Sequence, residues 1–354
     1  MSFLPLAIAA ILIATTLIPF SIRREWWIRA MDFPSLQVVV ASLLWLLYWQ
    51  FGDHNGGWFS TLLAIAVFAV LIYQSHLIYP YSELHRQEVD SYLFDVDGER
   101  DTLKLLSCNV LMTNRDSRSL LALIRHHNPD VFITLESDQW WQAQLDTLEG
   151  YSYAVKCPLD NLYGMHIYSR LPLHESAIHF KVEDDKPSIF TKIAVNDRYW
   201  VNLHCVHPAP PAPMENPEST QRDVELVLLA KSVADCDKPT IVTGDLNDVA
   251  WSATTQLFRQ ISGLLDPRIG RGLFNTFNAF HWFARWPLDH VFLSNHFKVI
   301  HMGRLPKMGS DHFPLLIELA VMSSTDDESG VIDDDVDTER LESIMNSTIA
   351  KENQ

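Results

Sequence analysis

Six polar positions follow or interrupt short apolar runs between residues 100 and 321. In chain order they are Asn109, Glu136, the pair His204 and His207, the pair Asp245 and Asn247, the pair Asp289 and His290, and the pair Asp311 and His312. Each has an ordinary explanation when taken singly, because Asn and Asp after a strand usually form turns and an isolated His is usually structural. Six of them in one segment favour convergence at the strand ends of a rigid sheet.

These residue types restrict the chemistry of such a site. Glu, Asp and Asn offer hard oxygen ligands, which suit Mg²⁺ or Mn²⁺. An Asp–His pair can orient an imidazole for proton transfer, and the Asp and Asn of GDLN (244–247) can orient a water or bind a phosphoryl oxygen. Together they indicate metal-assisted hydrolysis of a phosphate ester by in-line water attack. The HExxH, GxGxxG, Walker A and GxSxG motifs are missing, so zinc-peptidase, nucleotide-binding and serine-esterase functions lack their motifs.

The elements that must position these residues alternate between strand and helix patterns. The predicted strands are 101–110, 131–136, 151–156, 165–171, 177–182, 189–195, 199–206, 240–247, 287–294 and 310–321. The predicted helices are 117–127, 138–149, 219–234 and 251–262. Many strands separated by a few helices predict an α/β or α+β sandwich, in which two sheets lie between outer helices.

The order and spacing of the polar motifs resemble those of the endonuclease/exonuclease/phosphatase superfamily. This family includes DNase I-like nucleases, abasic-site endonucleases, sphingomyelinases and inositol polyphosphate phosphatases. The motifs are SCNV (107–110), PDVFITLES (129–137), a strand-end His, TGDLN (243–247), LDHVF (288–292) and GSDHFP (309–314). The resemblance covers roughly residues 100–321. It implies a four-layer α/β sandwich, with two packed mixed β-sheets flanked by helices.

The same resemblance implies a role for each polar residue. The implied metal ligands are Asn109, Glu136 and Asp311, with Mg²⁺ or Mn²⁺ as the ion. The pair Asp245 and Asn247 resembles the pair that aligns the attacking water and contacts the phosphate. Asp289 resembles the acid that supports the catalytic histidine, and His312 resembles that histidine, as general base or transition-state contact.

Two positions leave alternatives open. Many abasic-site enzymes carry an acid two residues after the Asn, where this chain has Leu111. This departure favours a single metal site centred on Glu136, and two ions stay the alternative. The mid-chain catalytic histidine is His207 or His204. His207 has an H-x-x-P spacing with Pro210 that resembles DNase I-like members, whereas His204 lies closer to the end of the apolar run.

Residues 1–80 are predicted to be a membrane anchor. Three uncharged runs, at about 3–20, 35–51 and 58–79, reach the length that crosses a bilayer as a helix. A signal peptide fits the first run less well, because its charges follow the apolar segment. Arg23, Arg24 and Arg29 lie in the first loop, so the positive-inside rule places this loop and the later domain in the cytoplasm. The predicted location is a bacterial inner or plasma membrane.

The charges divide the chain in the same way. The net charge is −17, of which residues 1–80 carry none, residues 322–354 carry −8 and the remainder carries −9. Residues 81–99 are interpreted as a juxtamembrane linker, 100–321 as the catalytic domain and 322–354 as an acidic disordered tail. This distribution excludes a uniform soluble globule and a basic protein that coats nucleic acid.

The sequence therefore predicts a membrane-anchored, divalent-metal-dependent phosphoester hydrolase of endonuclease type. The alternatives are a phospholipid or sphingomyelin-type phosphodiesterase, an inositol-phosphate phosphatase, and a catalytically silent binding module of the same fold. The expected partners are a lipid bilayer and a phosphoester substrate, either nucleic acid or phospholipid, and the oligomeric state is left open. The aromatic stretch 274–286 either lines a substrate groove or packs as an ordinary loop.

Overall fold

Apolar helices form the N-terminal part of the protein. The computed structural model describes residues 3–52, 57–94, 101–197, 199–234, 236–322 and 337–352. The N-terminal helices are α1 (Phe3–Leu17), the short α2 (Trp26–Arg29), α3 (Ser35–Phe51) and α4 (Trp58–Ile78). Polar side chains join the long helices: Trp45 Nε1 donates to the Pro5 carbonyl at 2.9 Å and Gln74 Nε2 donates to Thr16 Oγ1 at 3.0 Å. We call residues 3–81 the helical head.

Two segments of the head, Phe3–Phe20 and Trp58–Tyr81, are long and apolar enough to cross a membrane. The predicted third span, α3, meets this criterion only together with the helical segment Trp26–Asp32, from which it is bent by 65°. The structure therefore supports two candidate spans, or three if the bent pair counts as one.

The rest of the described chain forms two mixed sheets with helices on their outer faces. The first sheet has the order β10-β11-β1-β2-β4-β3 and the second has the order β5-β6-β7-β8-β9. The strands are β1 (Asp101–Asn109), β2 (Val131–Leu135), β3 (Tyr153–Cys157), β4 (Met165–Ser169), β5 (Leu173–His179), β6 (Ser188–Ala194), β7 (Trp200–Val206), β8 (Thr240–Asp245), β9 (Asp289–Leu293), β10 (Phe297–Arg304) and β11 (Leu315–Val321). The helices are α5 (Ser117–His127), α6 (Gln139–Leu145), α7 (Thr220–Val233), α8 (Ala253–Ser262) and α9 (Thr338–Glu352). This confirms the predicted α/β architecture.

Side-chain alternation along the strands separates the layers, because successive residues of a strand point to opposite faces. Between the sheets lies a core that includes Leu105, Ile133, Leu203 and Val291. The outer face of the first sheet packs on α5 and α6, and that of the second sheet packs on α7 and α8. The pairs β1–β2 and β7–β8 are parallel, and Asn109 at the end of β1 contacts Asp245 at the end of β8, so four strands end at the same end of the sandwich.

The segment interpreted as a linker packs on the domain over the part that the structure describes. Val89 is buried in the core between the sheets, and Tyr92 N donates to the Val299 carbonyl at 2.9 Å. Arg271 Nη2 donates to the Val89 carbonyl at 2.6 Å. Residues up to 92 therefore belong to the domain, because an apolar side chain and backbone hydrogen bonds fix them; residues 95–99 lie outside the described residues.

The head contacts the domain directly. Trp251 Nε1 donates to the Asp32 carbonyl at 2.7 Å, and the Tyr81 hydroxyl donates to the Ala250 carbonyl at 2.9 Å. Tyr81 and Trp251 also share a buried apolar cluster with Val249. The C-terminal end of α4 thus enters the domain next to residues 248–251.

Part of the acidic tail is helical. The sequence predicts disorder over 322–354 with a transient helix as an alternative over 341–349, and in the structure α9 covers Thr338–Glu352 and buries Ile344 against Val224, Val227 and Leu257. Leu341, Ile344 and Met345 share one helix face at i, i+3 and i+4 spacing, and burial of that face stabilises the helix. Residues 323–336 lie outside the described residues.

Candidate active site

The predicted site residues meet between the two sheets at the end where β1, β2, β7 and β8 finish. Asn109 and Asp245 are the last residues of β1 and β8, and Glu136 directly follows β2. Asp289 begins β9 and is the register partner of Asp245. His312 precedes β11, and its side chain joins the same cluster.

Asn109 connects the two sheets through its amide group. Its Nδ2 donates to Glu136 Oε1 at 2.7 Å and to Asp245 Oδ2 at 3.2 Å, while its Oδ1 accepts from Leu111 N at 3.0 Å. Asn109 therefore positions Glu136 through its Nδ2, while the amide oxygen of Asn109 accepts a hydrogen bond from the backbone. Burial, with a smaller contribution from the charge of Asp245, raises the pKa of Glu136 to about 7, although the hydrogen bond from Asn109 lowers it.

Asp289, His312 and Asp245 form a line of side chains that we call the inner cluster. His312 Nδ1 donates to Asp289 Oδ2 at 2.7 Å, and His312 Nε2 lies 3.4 Å from Asp245 Oδ2. Burial by itself would lower the pKa of His312, but the charges of Asp289 and Asp245 outweigh it and raise this pKa to about 10. His312 therefore carries a proton at neutral pH. Burial raises the pKa of Asp245, whereas the charge of His312 lowers it.

The structure separates the two mid-chain histidines. His207 Nε2 lies 3.9 Å from Asp245 Oδ2, and burial lowers the pKa of His207 to about 4, so the ring is neutral. His204 lies on the outer face of β7, with its ring 4.8 Å from that of Phe190. Strand alternation explains this placement, because Leu203 and Cys205 take the face between the sheets. The structure thus brings His207 to the cluster and does not bring His204 there.

The GDLN loop holds Asn247 through backbone bonds. Asn247 N donates to Asp245 Oδ1 at 3.0 Å, and its side-chain Nδ2 donates to the Pro208 carbonyl at 3.0 Å. The turn requires a glycine before it, because a Cβ at Gly244, where φ is +149°, would lie 1.8 Å from the Val206 carbonyl oxygen. Asp311 lies beside the cluster, where its Oδ1 accepts from Ser310 Oγ at 3.3 Å.

Two groups of side chains could hold a divalent cation. Asp245, Asp289 and His312 each place a ligand atom within 4.8 Å of the others. However, both ring nitrogens of His312 already face carboxylates, and its raised pKa keeps it protonated, which a metal ligand is not. Glu136 Oε1 accepts from Asn109, and the Asp311 carboxylate is near enough to raise the pKa of Glu136. Carboxylate oxygens suit Mg²⁺, so Glu136 with Asp311 is the second candidate pair.

One carboxylate oxygen of the inner cluster is uncommitted. Asp289 Oδ1 and His207 Nδ1 are both buried, and neither has a hydrogen-bond partner within the part of the chain that the structure describes. Buried polar atoms are normally paired, so unpaired ones at a strand-end cluster mark positions for water, an ion or a substrate atom.

Three residues next to the cluster were missed at the sequence level. Thr276 Oγ1 accepts from Asp289 N at 3.1 Å, the Phe277 ring lies 5.0 Å from that of His312, and the Tyr163 ring lies 5.0 Å from that of His207. The aromatic composition of 274–286 was a usable signal for Phe277. Tyr163 and Thr276 carry no local signal, because loop folding alone brings them to the site.

A second polar group lies on the opposite face of β9, and we call it the outer network. His290 Nδ1 accepts from Arg268 Nη2 at 2.7 Å, and His290 Nε2 donates to the Asp248 carbonyl at 2.9 Å. Arg268 also pairs with Asp266 at 2.7 Å, with both side chains fully buried. Arg268 is therefore committed to the fold and cannot contact a substrate phosphate.

Known proteins match the chain in family and in fold. The model of the Endonuclease/Exonuclease/phosphatase family matches residues 106–312. A structure of D. rerio TDP2 complexed with single strand DNA product has 18% identity and a TM-score of 0.53, over 62% of this chain and 99% of that chain. An endonuclease/exonuclease/phosphatase family protein from Bacteroides thetaiotaomicron has 19% identity and a TM-score of 0.51, over 63% and 99%. No curated relative matches the chain in sequence.

Proposed function

The chain belongs to the endonuclease/exonuclease/phosphatase family, whose members are divalent-metal-dependent phosphoester hydrolases, and we propose that it is a membrane-anchored phosphodiesterase. The observation that carries this proposal is the inner cluster, in which Asp289 holds the protonated His312 3.4 Å from Asp245. This arrangement places a proton acceptor and a cationic donor side by side at the strand ends, next to Glu136. In-line hydrolysis of a phosphodiester needs these groups.

The roles of the side chains follow from their charges. Asp245 orients the attacking water and accepts its proton as the water oxygen bonds to phosphorus and the bond from phosphorus to the leaving oxygen breaks. His312, kept protonated by Asp289, donates through Nε2 to a phosphoryl oxygen, so of its two predicted roles transition-state contact is favoured over general base. A divalent cation held by Glu136 and Asp311 supplies charge neutralisation at the phosphate when it is bound. Asn247 and the neutral His207 complete the polar wall.

Nucleic acid remains one candidate substrate, and the proposed activity on it is endonuclease-type cleavage. D. rerio TDP2, which has a similar fold, forms a complex with a single strand DNA product. A phospholipid phosphodiester is the second candidate, and the contact between the helical head and the domain favours it. No contact among the described residues specifically supports an inositol phosphate as substrate.

The anchor is proposed to consist of three spans, at about 3–20, 35–51 and 58–79, with the domain in the cytoplasm. Support comes from the contact of Trp251 with Asp32, which places the domain beside the loop that carries Arg23 and Arg24. A fusion of alkaline phosphatase or of green fluorescent protein to the C-terminus tests the side. Fluorescence without phosphatase activity supports the cytoplasmic placement, and the reverse result contradicts it.

The activity is tested with bis(p-nitrophenyl) phosphate and the purified full chain in detergent. We expect hydrolysis with Mg²⁺, none with EDTA, and a loss of about a hundredfold or more in His312→Ala and Glu136→Ala. Full activity in both variants would contradict the proposal. If no hydrolysis occurs and calorimetric titration detects no Mg²⁺ binding that depends on Glu136, the silent binding module replaces it.

A further inference from the structure

An aromatic hairpin projects from the domain beside the active site. We use this name for residues 276–286, in which Phe277 N donates to the Trp286 carbonyl at 3.0 Å and Asn278 N donates to the Ala284 carbonyl at 3.1 Å. Its tip exposes 57% of Phe280, 80% of Trp282 and 62% of Phe283. These three exposed aromatic residues lie within four positions and form an apolar surface patch. Such a patch typically marks a surface that binds a membrane or another molecule.

The base of the hairpin is joined to the catalytic residues. Phe277 pairs with His312 through the backbone, Ala279 N donates to the Asp311 carbonyl at 2.6 Å, and Phe313 N donates to the Thr276 carbonyl at 2.8 Å. The base of the hairpin therefore pairs with residues 311–313, which include His312 of the inner cluster.

The tip lies against the helical head. Gln37 Nε2 donates to the Phe283 carbonyl at 2.9 Å. Between α3 and the hairpin runs a groove of about 540 Å³, with Leu36, Val40 and Leu44 on one wall and Trp282 and Phe283 on the other. Leu36 to Leu44 spans roughly 12 Å of helix at the standard rise per residue, so the groove extends along about two turns of α3.

The groove is continuous with the surface that α3 presents to a bilayer. Val40 and Leu44 are exposed on α3, as the lipid-facing residues of a spanning helix are. An exposed Trp such as Trp282 suits the membrane–water boundary, because an indole ring is apolar with one polar edge. The aromatic hairpin and α3 thus define an opening from the bilayer toward the domain.

Two arginines supply positive charge to the groove. Arg285 and Arg304 line it and stack on the ring of Phe313, with guanidinium carbons 5.0 Å and 4.2 Å from the ring centre. Phe313 is the residue after His312, so the cationic end of the groove is one residue along the chain from the inner cluster. An apolar groove with a cationic end is complementary to a molecule that carries an acyl chain and a phosphate.

We propose that the substrate is an anionic phospholipid of the bilayer that holds the head, with one acyl chain in the groove and its phosphodiester beside Arg285 and Arg304. This inference rests on the proposed phosphodiesterase activity and names its substrate class. Hydrolysis forms a bond between the water oxygen and phosphorus and breaks one ester P–O bond, which releases an alcohol and a phosphomonoester. The domain charge of −9 agrees, because it repels a long polyanion more strongly than a single phosphodiester.

The test compares three substrates on the full chain reconstituted with Mg²⁺. These are vesicles of phosphatidylcholine and phosphatidylglycerol in equal amounts, single-stranded DNA added to the same vesicles, and bis(p-nitrophenyl) phosphate. The variant is Trp282→Ala with Phe283→Ala, and the matched control is Phe180→Ala, an exposed aromatic residue just after β5, at the far edge of the second sheet. Product phosphomonoesters are measured by mass spectrometry.

We expect the wild type to hydrolyse phosphatidylglycerol. In the hairpin variant, the ratio of lipid turnover to bis(p-nitrophenyl) phosphate turnover should fall about tenfold relative to the wild type. Phe180→Ala should leave the ratio of the two activities unchanged. A second readout omits catalysis: in EDTA, Arg285→Gln with Arg304→Gln should weaken binding of a fluorescent phosphatidylglycerol in detergent micelles severalfold. This measurement covers the case in which the hairpin variant does not fold.

The outcomes separate this inference from the proposed function. Hydrolysis of bis(p-nitrophenyl) phosphate without lipid turnover, or cleavage of DNA alone, overturns the phospholipid inference and leaves the phosphodiesterase standing. Lack of activity on all three substrates overturns the proposed function itself. Lipid binding that is the same in wild type and in the arginine variant also contradicts the assignment of the groove.

Discussion

Asp289 and His290 are neighbours in sequence and lie in two different chemical environments. Asp289 faces the inner cluster, where one of its oxygens holds His312 and the other has no partner among the described residues. His290 faces the outer network, where both ring nitrogens are engaged by Arg268 and Asp248. Strand alternation sends them to opposite faces of β9.

The difference lies in the charge that each histidine carries and not in residue types. Both groups contain a buried His with a carboxylate nearby, yet the pKa of His312 is raised to about 10 while burial lowers the pKa of His290 well below its usual value. His312 faces two carboxylates, and His290 faces an arginine. The inner cluster therefore holds a charge that a substrate can use, whereas the outer network holds the fold.

The largest expected effect is on activity, from the substitution His312→Asn. This change removes the cationic donor, and we expect turnover of bis(p-nitrophenyl) phosphate to fall about a thousandfold for each folded molecule. The measurement is steady-state kinetics together with thermal unfolding in detergent. Turnover within tenfold of wild type would show that the two regions do not differ in the way described.

The second effect is on stability, from Arg268→Met in the outer network. Asp266 then stays buried without its partner, which costs about 3–5 kcal/mol in the free energy of unfolding. Activity for each folded molecule should change far less than in His312→Asn. The comparison fails if Arg268→Met removes activity and leaves the denaturation midpoint unchanged.

The third prediction concerns pH and uses His204, which lies outside both groups. Burial lowers the pKa of His204 to about 4 in the folded state, below the usual value of about 6.5 in an unfolded chain. The unfolded chain therefore binds the proton first as pH falls from about 6.5 to 4, and stability decreases over that window by up to about 3 kcal/mol. His204→Asn should reduce this pH dependence of the unfolding free energy. Equal pH profiles for the wild type and His204→Asn would contradict the prediction.

The smallest effect is expected from Thr276→Val, which acts on the support of the inner cluster. Loss of Thr276 Oγ1 leaves the buried Asp289 N–H without its acceptor, which costs about 1–2 kcal/mol of stability. Turnover should drop severalfold, because Asp289 is less well fixed. Thr276→Ser retains the hydroxyl and should restore both quantities, and failure of this rescue would argue against the assigned contact.

Much of the fold could be predicted from the sequence, because its signals are local. The strand ends at Asn109, Glu136 and Asp245 follow short apolar runs, and their order along the chain indicates the family. Alternation within WVNLHCV could also have separated His204 from His207, since Val201, Leu203 and Cys205 occupy the inner face. The roles of these residues stay predictions that the variants test.

The remaining parts depend on contacts between distant segments. Arg268 forms a buried ion pair, but its residue type alone does not distinguish it from an arginine that binds phosphate. The pairing of Phe277 with His312 and the packing of Ile344 on α7 require the complete fold. The third span is ambiguous for a related reason, because a bend of 65° has no local signal apart from Pro34.

The contacts of Tyr81 and Trp251 between the head and the domain have a consequence for how substrate is found. Because Tyr81, just after α4, is hydrogen-bonded to a residue that follows the GDLN loop, the proposed anchor would fix the height of the site above the bilayer. On the proposed phospholipid substrate, an enzyme held in this way would meet its substrate by lateral diffusion within a plane. Its rate then depends on molecules per unit of membrane area, and dilution of the vesicles at constant lipid composition should leave it unchanged.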